Sequence, residues 1–240
     1  MDNIINNVDD YYVITSGDVT SHIHTANGVE SSYTCSYKIE QSAQLFCTVI
    51  CAAQAPHHIE LSFLLEKNAF LRLELLIAHV TTTVSINCIM RGESSSAVIN
   101  GAYIVRDTDK VTINTKQDHW VANTTSRLMM KGVLNDYAQA VYSGMIFVAR
   151  DASFTVASQE NKNIVLSDNA RALSIPQLEV LTNDVHCFHG SAVGRFDQEQ
   201  LFYCATRGIE IKQAERLLLQ GFFSDMFENS EAQLFLEKLL

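Results

Sequence analysis

The chain has 240 residues, with 17 Lys and Arg against 27 Asp and Glu for a net charge of −10, and is 47% hydrophobic but only 18% charged. Disordered chains combine low hydrophobicity with high charge, and average proteins carry about 25% charged residues, so this is a folded and charge-poor protein. With no basic run it lacks the clustered Lys and Arg that nucleic acid requires, and no stretch reaches the roughly 18 uninterrupted apolar residues of a membrane helix.

The first ten residues are acidic, without the basic start and apolar run of a leader, so a cytoplasmic protein is expected. Six cysteines, at 35, 47, 51, 88, 187 and 204, are too sparse and irregular for a disulfide framework. Cys47 and Cys51 sit in an apolar run and read as core residues. From about residue 10 to 195 the pattern is one of short strands. Residues 71–75 alternate strictly, and 84–88, 102–105 and 111–113 are β-branched or aromatic. Further strands are expected at 132–134, 140–142, 145–148, 154–156, 164–166, 178–180 and 185–187, with polar turns between them. His57 and His58 follow Pro56 in an expected turn.

Turn aspartates at 136, 151, 168 and 184 are 15, 17 and 16 apart. That loose period suits a parallel β-helix over residues 1–195, in which each coil stacks on the last. A β-sandwich has similar strand spacing and is the rival architecture. Like charges stacked on neighbouring coils would repel, so uncharged outer faces fit the low charge fraction.

The pattern changes at Phe196, and a helical segment over 196–240 is expected. Asp197 with Gln200 is a capping signal, and Gly208 suits a helix end. Ile211, Ala214, Leu217, Leu218 and Phe222 then fall at helical spacing. Ser230 with Gln233 opens a last helix carrying Leu234, Leu236, Leu239 and Leu240. These helices serve either as a solenoid cap or as a partner surface.

The densest chemical group is Asp184, His186, Cys187, His189 and Gly190. On a strand, alternate residues share a face, so Cys187 and His189 point one way and His186 the other. A thiolate and an imidazole make half a site for iron or zinc, which a second subunit or distant residues must complete. The plain alternative is that both are packing residues. His22 and His24 alternate without support from neighbours, and His119 beside Trp120 reads as a hydrogen-bonded packing residue. No nucleophile elbow, phosphate loop or dinucleotide fingerprint is present. A carboxylate pair for glycoside cleavage has no sequence signature in a β-helix, so a carbohydrate-active enzyme is the alternative function.

Several ordered motifs resemble the SufB/SufD family. They are Lys131-Gly-Val-Leu-Asn-Asp136, Tyr142-Ser-Gly-Met-Ile-Phe-Val148, Asn163-Ile-Val-Leu-Ser-Asp-Asn-Ala170 and Ser174-Ile-Pro-Gln-Leu-Glu-Val180. Asn183-Asp-Val-His-Cys-Phe-His-Gly-Ser-Ala-Val-Gly194 and Asp197-Gln-Glu-Gln-Leu-Phe-Tyr-Cys-Ala-Thr-Arg-Gly-Ile209 follow. The resemblance spans residues 119–227. It implies a right-handed parallel β-helix with C-terminal helices and a non-enzymatic scaffold role in iron–sulfur cluster assembly. It also implies a SufB- or SufD-like partner subunit and a SufC-like ATPase.

At Cys187-Phe188-His189-Gly190 the match is SufD-like, which implies His189, with Cys187 second, as ligands of a transient iron–sulfur cluster at the subunit interface. Cys204 leans toward SufB. The sulfur-accepting cysteine of SufB has no clearly matched position, and Cys88, in an expected strand, stays a candidate for it. The stripe Phe222, Phe223, Met226 and Phe227 is expected to dock the ATPase. The family usually carries a helical N-terminal domain, whereas this sequence starts close to the β-helix.

Overall fold

The computed structural model describes residues 9–26, 32–51, 57–228 and 230–239. Within them lie fourteen strands: β1 (Asp9–Ile14), β2 (Val19–Ala26), β3 (Ser32–Ile39), β4 (Gln44–Cys51), β5 (His57–Leu65), β6 (Phe70–Ala78), β7 (Thr82–Met90), β8 (Ser96–Val105), β9 (Lys110–His119), β10 (Thr125–Leu134), β11 (Gln139–Val148), β12 (Val156–Val165), β13 (Arg171–Val180) and β14 (His186–Gly194). Three helices follow, α1 (Gln198–Thr206), α2 (Ile211–Phe223) and α3 (Ser230–Leu239).

Odd strands form one seven-stranded sheet and even strands the other, every pairing parallel. The chain is therefore a parallel β-solenoid of about six turns and not a sandwich. Ser96, Thr125 and Val156 occupy one position in three successive coils. The 15–17-residue spacing of the aspartates is thus half a coil, the distance from one sheet to the other.

Strand residues alternate between lumen and outside, as in the strict buried–intermediate alternation of β3 and β7. Lumenal side chains of neighbouring coils stack in columns. Tyr12, Tyr37 and Phe63 form one such column, with ring centroids 5.0 and 5.3 Å apart and interplanar angles of 17° and 6°. The outer column Glu60, Ser85, Asn114 and Ser143 carries one charge in four coils, as the repulsion of stacked like charges requires.

Tight turns join the sheets. Ala43, Ala69 and Ala138 each donate their N–H to the carbonyl three residues back. The preceding turns place Ser42, Asn68 and Asp136 at positive φ, a conformation that short polar side chains tolerate. Successive turns also bond to each other: Ser42 N donates to Lys67 O, and Asn68 N to Glu93 O. Two sequence expectations move. Phe154 is a turn residue at φ 60°, with β12 starting at Val156. His57 and His58 open β5, while Pro56 lies outside the described residues.

Asp197 caps α1, its carboxylate accepting from Glu199 N at 2.9 Å. Gly208 at φ 78° and the Ile209 N to Cys204 O bond close the helix. The segment from α2 to α3 lies across the outer face of the even-strand sheet. Phe223, Met226, Phe227, Ala232 and Leu236 share a buried cluster with Leu76, Ala102, Ile104, Met129 and Val133. That cluster spans β6, β8 and β10. Leu240 lies outside the described residues.

Candidate functional site

The last coil is an open end of the solenoid among the described residues. β13 pairs only with β11 and β14 only with β12, each being terminal in its sheet. Their free edges carry exposed Leu173, Ile175, Leu178, Phe188 and Val193.

Register fixes the facing of β14. Cys187 lies beside Ala157 and His189 beside Gln159, and both partners are fully buried lumenal residues. His186 lies beside Val156, which is exposed. Cys187 and His189 therefore occupy the lumenal face at the mouth, while His186 and Phe188 stand on the other. His189 is exposed and Cys187 half-buried. Burial raises the Cys187 thiol above its ordinary pKa, with a backbone hydrogen bond at Ala157 acting the other way. At rest the group is a thiol, and binding a metal would release its proton. Among the described residues no group of three or more His, Cys, Asp or Glu is placed to hold a metal ion. Cys187 and His189 can supply two ligands.

Below the mouth the lumen is polar. Asn161 donates to the Tyr103 hydroxyl at 3.1 Å, and Asn163 to Asn161 Oδ1 at 2.8 Å. The Tyr103 hydroxyl also bonds Asn163 Oδ1. Thr115 and Tyr142 share a 2.9 Å bond. Gln117 donates to Ser126 Oγ at 2.6 Å. Only Gln159 has both side-chain polar atoms without a partner among the buried residues described here. This polar lining was missed in the sequence. Its signal was available in residues 157–163, where Gln159, Asn161 and Asn163 alternate with Ser158, Glu160 and Lys162 at strand spacing.

The other candidates have structural explanations. His119 is fully buried between Thr124 Oγ1 at 2.7 Å and Ser126 Oγ at 2.9 Å. It is the hydrogen-bonded packing residue the sequence suggested. His22 Nδ1 lies 3.0 Å from the Tyr37 hydroxyl inside the first coils, and the side chain of His24 lies outside the described residues. Cys88 is sealed in the lumen, where burial pushes its thiol up to about 12. Cys204 sits half-buried on α1.

The aromatic stripe is corrected in one respect. Phe223, Met226 and Phe227 are buried against the solenoid and Phe222 is half-buried beside them. They anchor the helices to the sheet, and Phe223 and Phe227 reach the surface only along the floor of a pocket between α2 and α3. Lys131, itself nearly buried, donates to the Phe222 carbonyl at 2.6 Å and pairs with Asp225. Burial alone would raise the Asp225 carboxyl, but the Lys131 hydrogen bond and charge outweigh it and hold it low. Glu228 pairs with Arg72, and its N–H donates to Glu74 Oε1 at 2.8 Å. The outward apolar residues of the segment are Phe202, Tyr203, Ile211, Leu217 and Leu234.

The family profile described as SUF system FeS cluster assembly, SufBD core domain, matches residues 16–222. The chain belongs to the SufBD core family. Its match covers every coil from β2 onward, the mouth residues and α1. Among individual SufBD relatives, an iron–sulfur cluster assembly SufBD family protein of Mycobacterium leprae is 32% identical over 188 residues, covering 72% of this chain and 48% of the relative. The iron–sulfur cluster assembly protein SufD of Escherichia coli is 31% identical over 161 residues, covering 67% and 37%. SufD of Bacillus subtilis is 34% identical over 106 residues, covering 44% and 24%. These matches take in less than half the length of each relative. No helix among the described residues is long and apolar enough to cross a membrane.

Proposed function

We propose that this chain is a scaffold subunit of iron–sulfur cluster assembly rather than a catalyst, holding a nascent cluster as cargo at the mouth of its solenoid. The observation that carries the reading is the register of β14, which turns both Cys187 and His189 toward the lumen in the last coil, where both strands have a free edge. Two ligands are half of a tetrahedral set. A SufB- or SufD-type subunit docking on β13 and β14 would supply the rest and cover the exposed Leu173, Ile175 and Phe188. The SufD relatives support this assignment.

The C-terminal helices dock a SufC-like ATPase in this proposal, through the outward side chains of α1 and α2. Phe222, Phe223, Met226 and Phe227 contribute by fixing the helices to the sheet.

Anaerobic reconstitution with iron and sulfide, in the presence of a SufB-type subunit, tests the ligand assignment. His189→Ala and Cys187→Ala should each lose most of the cluster absorbance while the wild type retains it. Full absorbance in both variants would make the two residues packing groups and refute the proposal. For the ATPase, Leu217→Asp should abolish co-purification with a SufC-like protein, and undiminished capture would reject α2 as the contact.

A further inference from the structure

Gln159 is fully buried, yet neither Oε1 nor Nε2 of its amide has a hydrogen-bond partner. A buried amide group left unpaired destabilises the fold. Most lumenal polar groups of these coils bond one another and do not relieve it. Asn161 bonds Tyr103, Asn163 bonds Asn161, and Thr115 bonds Tyr142. Gln117 also leaves its Oε1 unpaired, but its Nε2 is held by Ser126 and by the Ser158 carbonyl. A Cβ built on Gly144 would come within 2.5 Å of both the Gln159 amide and the Tyr142 hydroxyl, which is bonded to Thr115.

Along its own column Gln159 has one polar neighbour. On the coil below is Leu128, which is apolar, and on the coil above is His189. Neighbouring strands are about 4.8 Å apart, within reach of an amide turning toward an imidazole. Histidine ligands of metals characteristically give their second ring N–H to a carbonyl or carboxylate, which fixes the tautomer and the ring plane.

We propose that Gln159 is the positioning residue for His189, its Oε1 accepting from inside the lumen the ring N–H that the iron centre does not use. The inference rests on the reading of Cys187 and His189 as ligands. It also explains why an amide stands where leucine would fit the lumen without an unpaired group.

The full chain is titrated anaerobically with Co2+, whose thiolate absorption reports on binding at Cys187, and thermal midpoints are measured without metal. Gln159→Leu should melt at or above the wild-type temperature, because an unpaired amide has been removed. It should also bind Co2+ at least about tenfold more weakly. Gln159→Glu, which keeps an acceptor, should restore affinity. Wild-type affinity in Gln159→Leu would overturn the inference while leaving the ligands standing. So would a lower melting temperature without rescue by Gln159→Glu, which marks a merely structural amide. A wild-type chain that binds no Co2+, or Cys187→Ala and His189→Ala chains that bind it unchanged, would remove the ligand reading and this inference with it.

Discussion

His119 gives the solenoid a built-in acid sensitivity. Burial lowers its pKa from the ordinary 6.5 to about 4, its ring being held by Thr124 and Ser126. Above pH 6.5 neither folded nor unfolded chain binds the proton, and stability is unaffected. Below it the unfolded chain protonates first, so stability falls as pH drops from 6.5 toward 4, by about 3 kcal/mol in all. Urea unfolding should show this slope in the wild type and a shallower one in His119→Gln. Phe223 makes a second residue-scale prediction. Phe223→Ala removes a buried ring and should destabilise the chain by about 3–5 kcal/mol in the same assay. The shared face of Cys187 and His189 was legible, because strand alternation is a two-residue rule that needs no tertiary knowledge. Gln159 was not, because a glutamine among Ser158, Glu160 and Lys162 looks like solvent-facing polarity until the register assigns its side.

At the scale of the element, turns and helices were read with different success. Asn68, Asn123 and Asp136 sit at positive φ where polar turn clusters were expected. Phe154 takes the same conformation without the usual chemistry, and is 65% exposed. Phe154→Asn should therefore stabilise the isolated chain by about 1 kcal/mol, measured by the urea midpoint. The helices were located from capping residues and spacing, but the face they bury was not. The stripe Phe222, Phe223, Met226 and Phe227 marks an apolar surface without saying whether it meets a partner or the chain's own sheet. Lys131 decides that question, and it is ninety-one residues from Phe222. Lys131→Met keeps the aliphatic stem and loses the bonds to Asp225 and the Phe222 carbonyl. It should cost about 1–3 kcal/mol and speed amide hydrogen exchange in α2 and α3 before the strands.

The whole molecule has ends of different character. The first coils are filled with stacked aromatic and aliphatic residues such as Tyr37, Phe63 and Leu73, and the last with Gln159, Asn161 and Asn163. Sequence periodicity found the solenoid but halved its repeat, because a turn follows every strand and both turns of a coil are rich in the same residues. The open end was invisible at that level, since β13 and β14 read like any other strands. Under the proposed docking of a SufB- or SufD-type subunit on β13 and β14, Ile175→Lys should weaken that pairing, measured as mass in solution, without changing the fold of the single chain.

The lateral attachment of α2 and α3 has a mechanical consequence. A load on the helices enters the solenoid by two routes. One is the covalent link at residues 195–197, which pulls directly on β14. The other is the apolar cluster on β6, β8 and β10, which spreads force over three rungs of a stiff hydrogen-bonded beam. The middle of the beam is splinted, so the coil left free to yield is the one that carries Cys187 and His189.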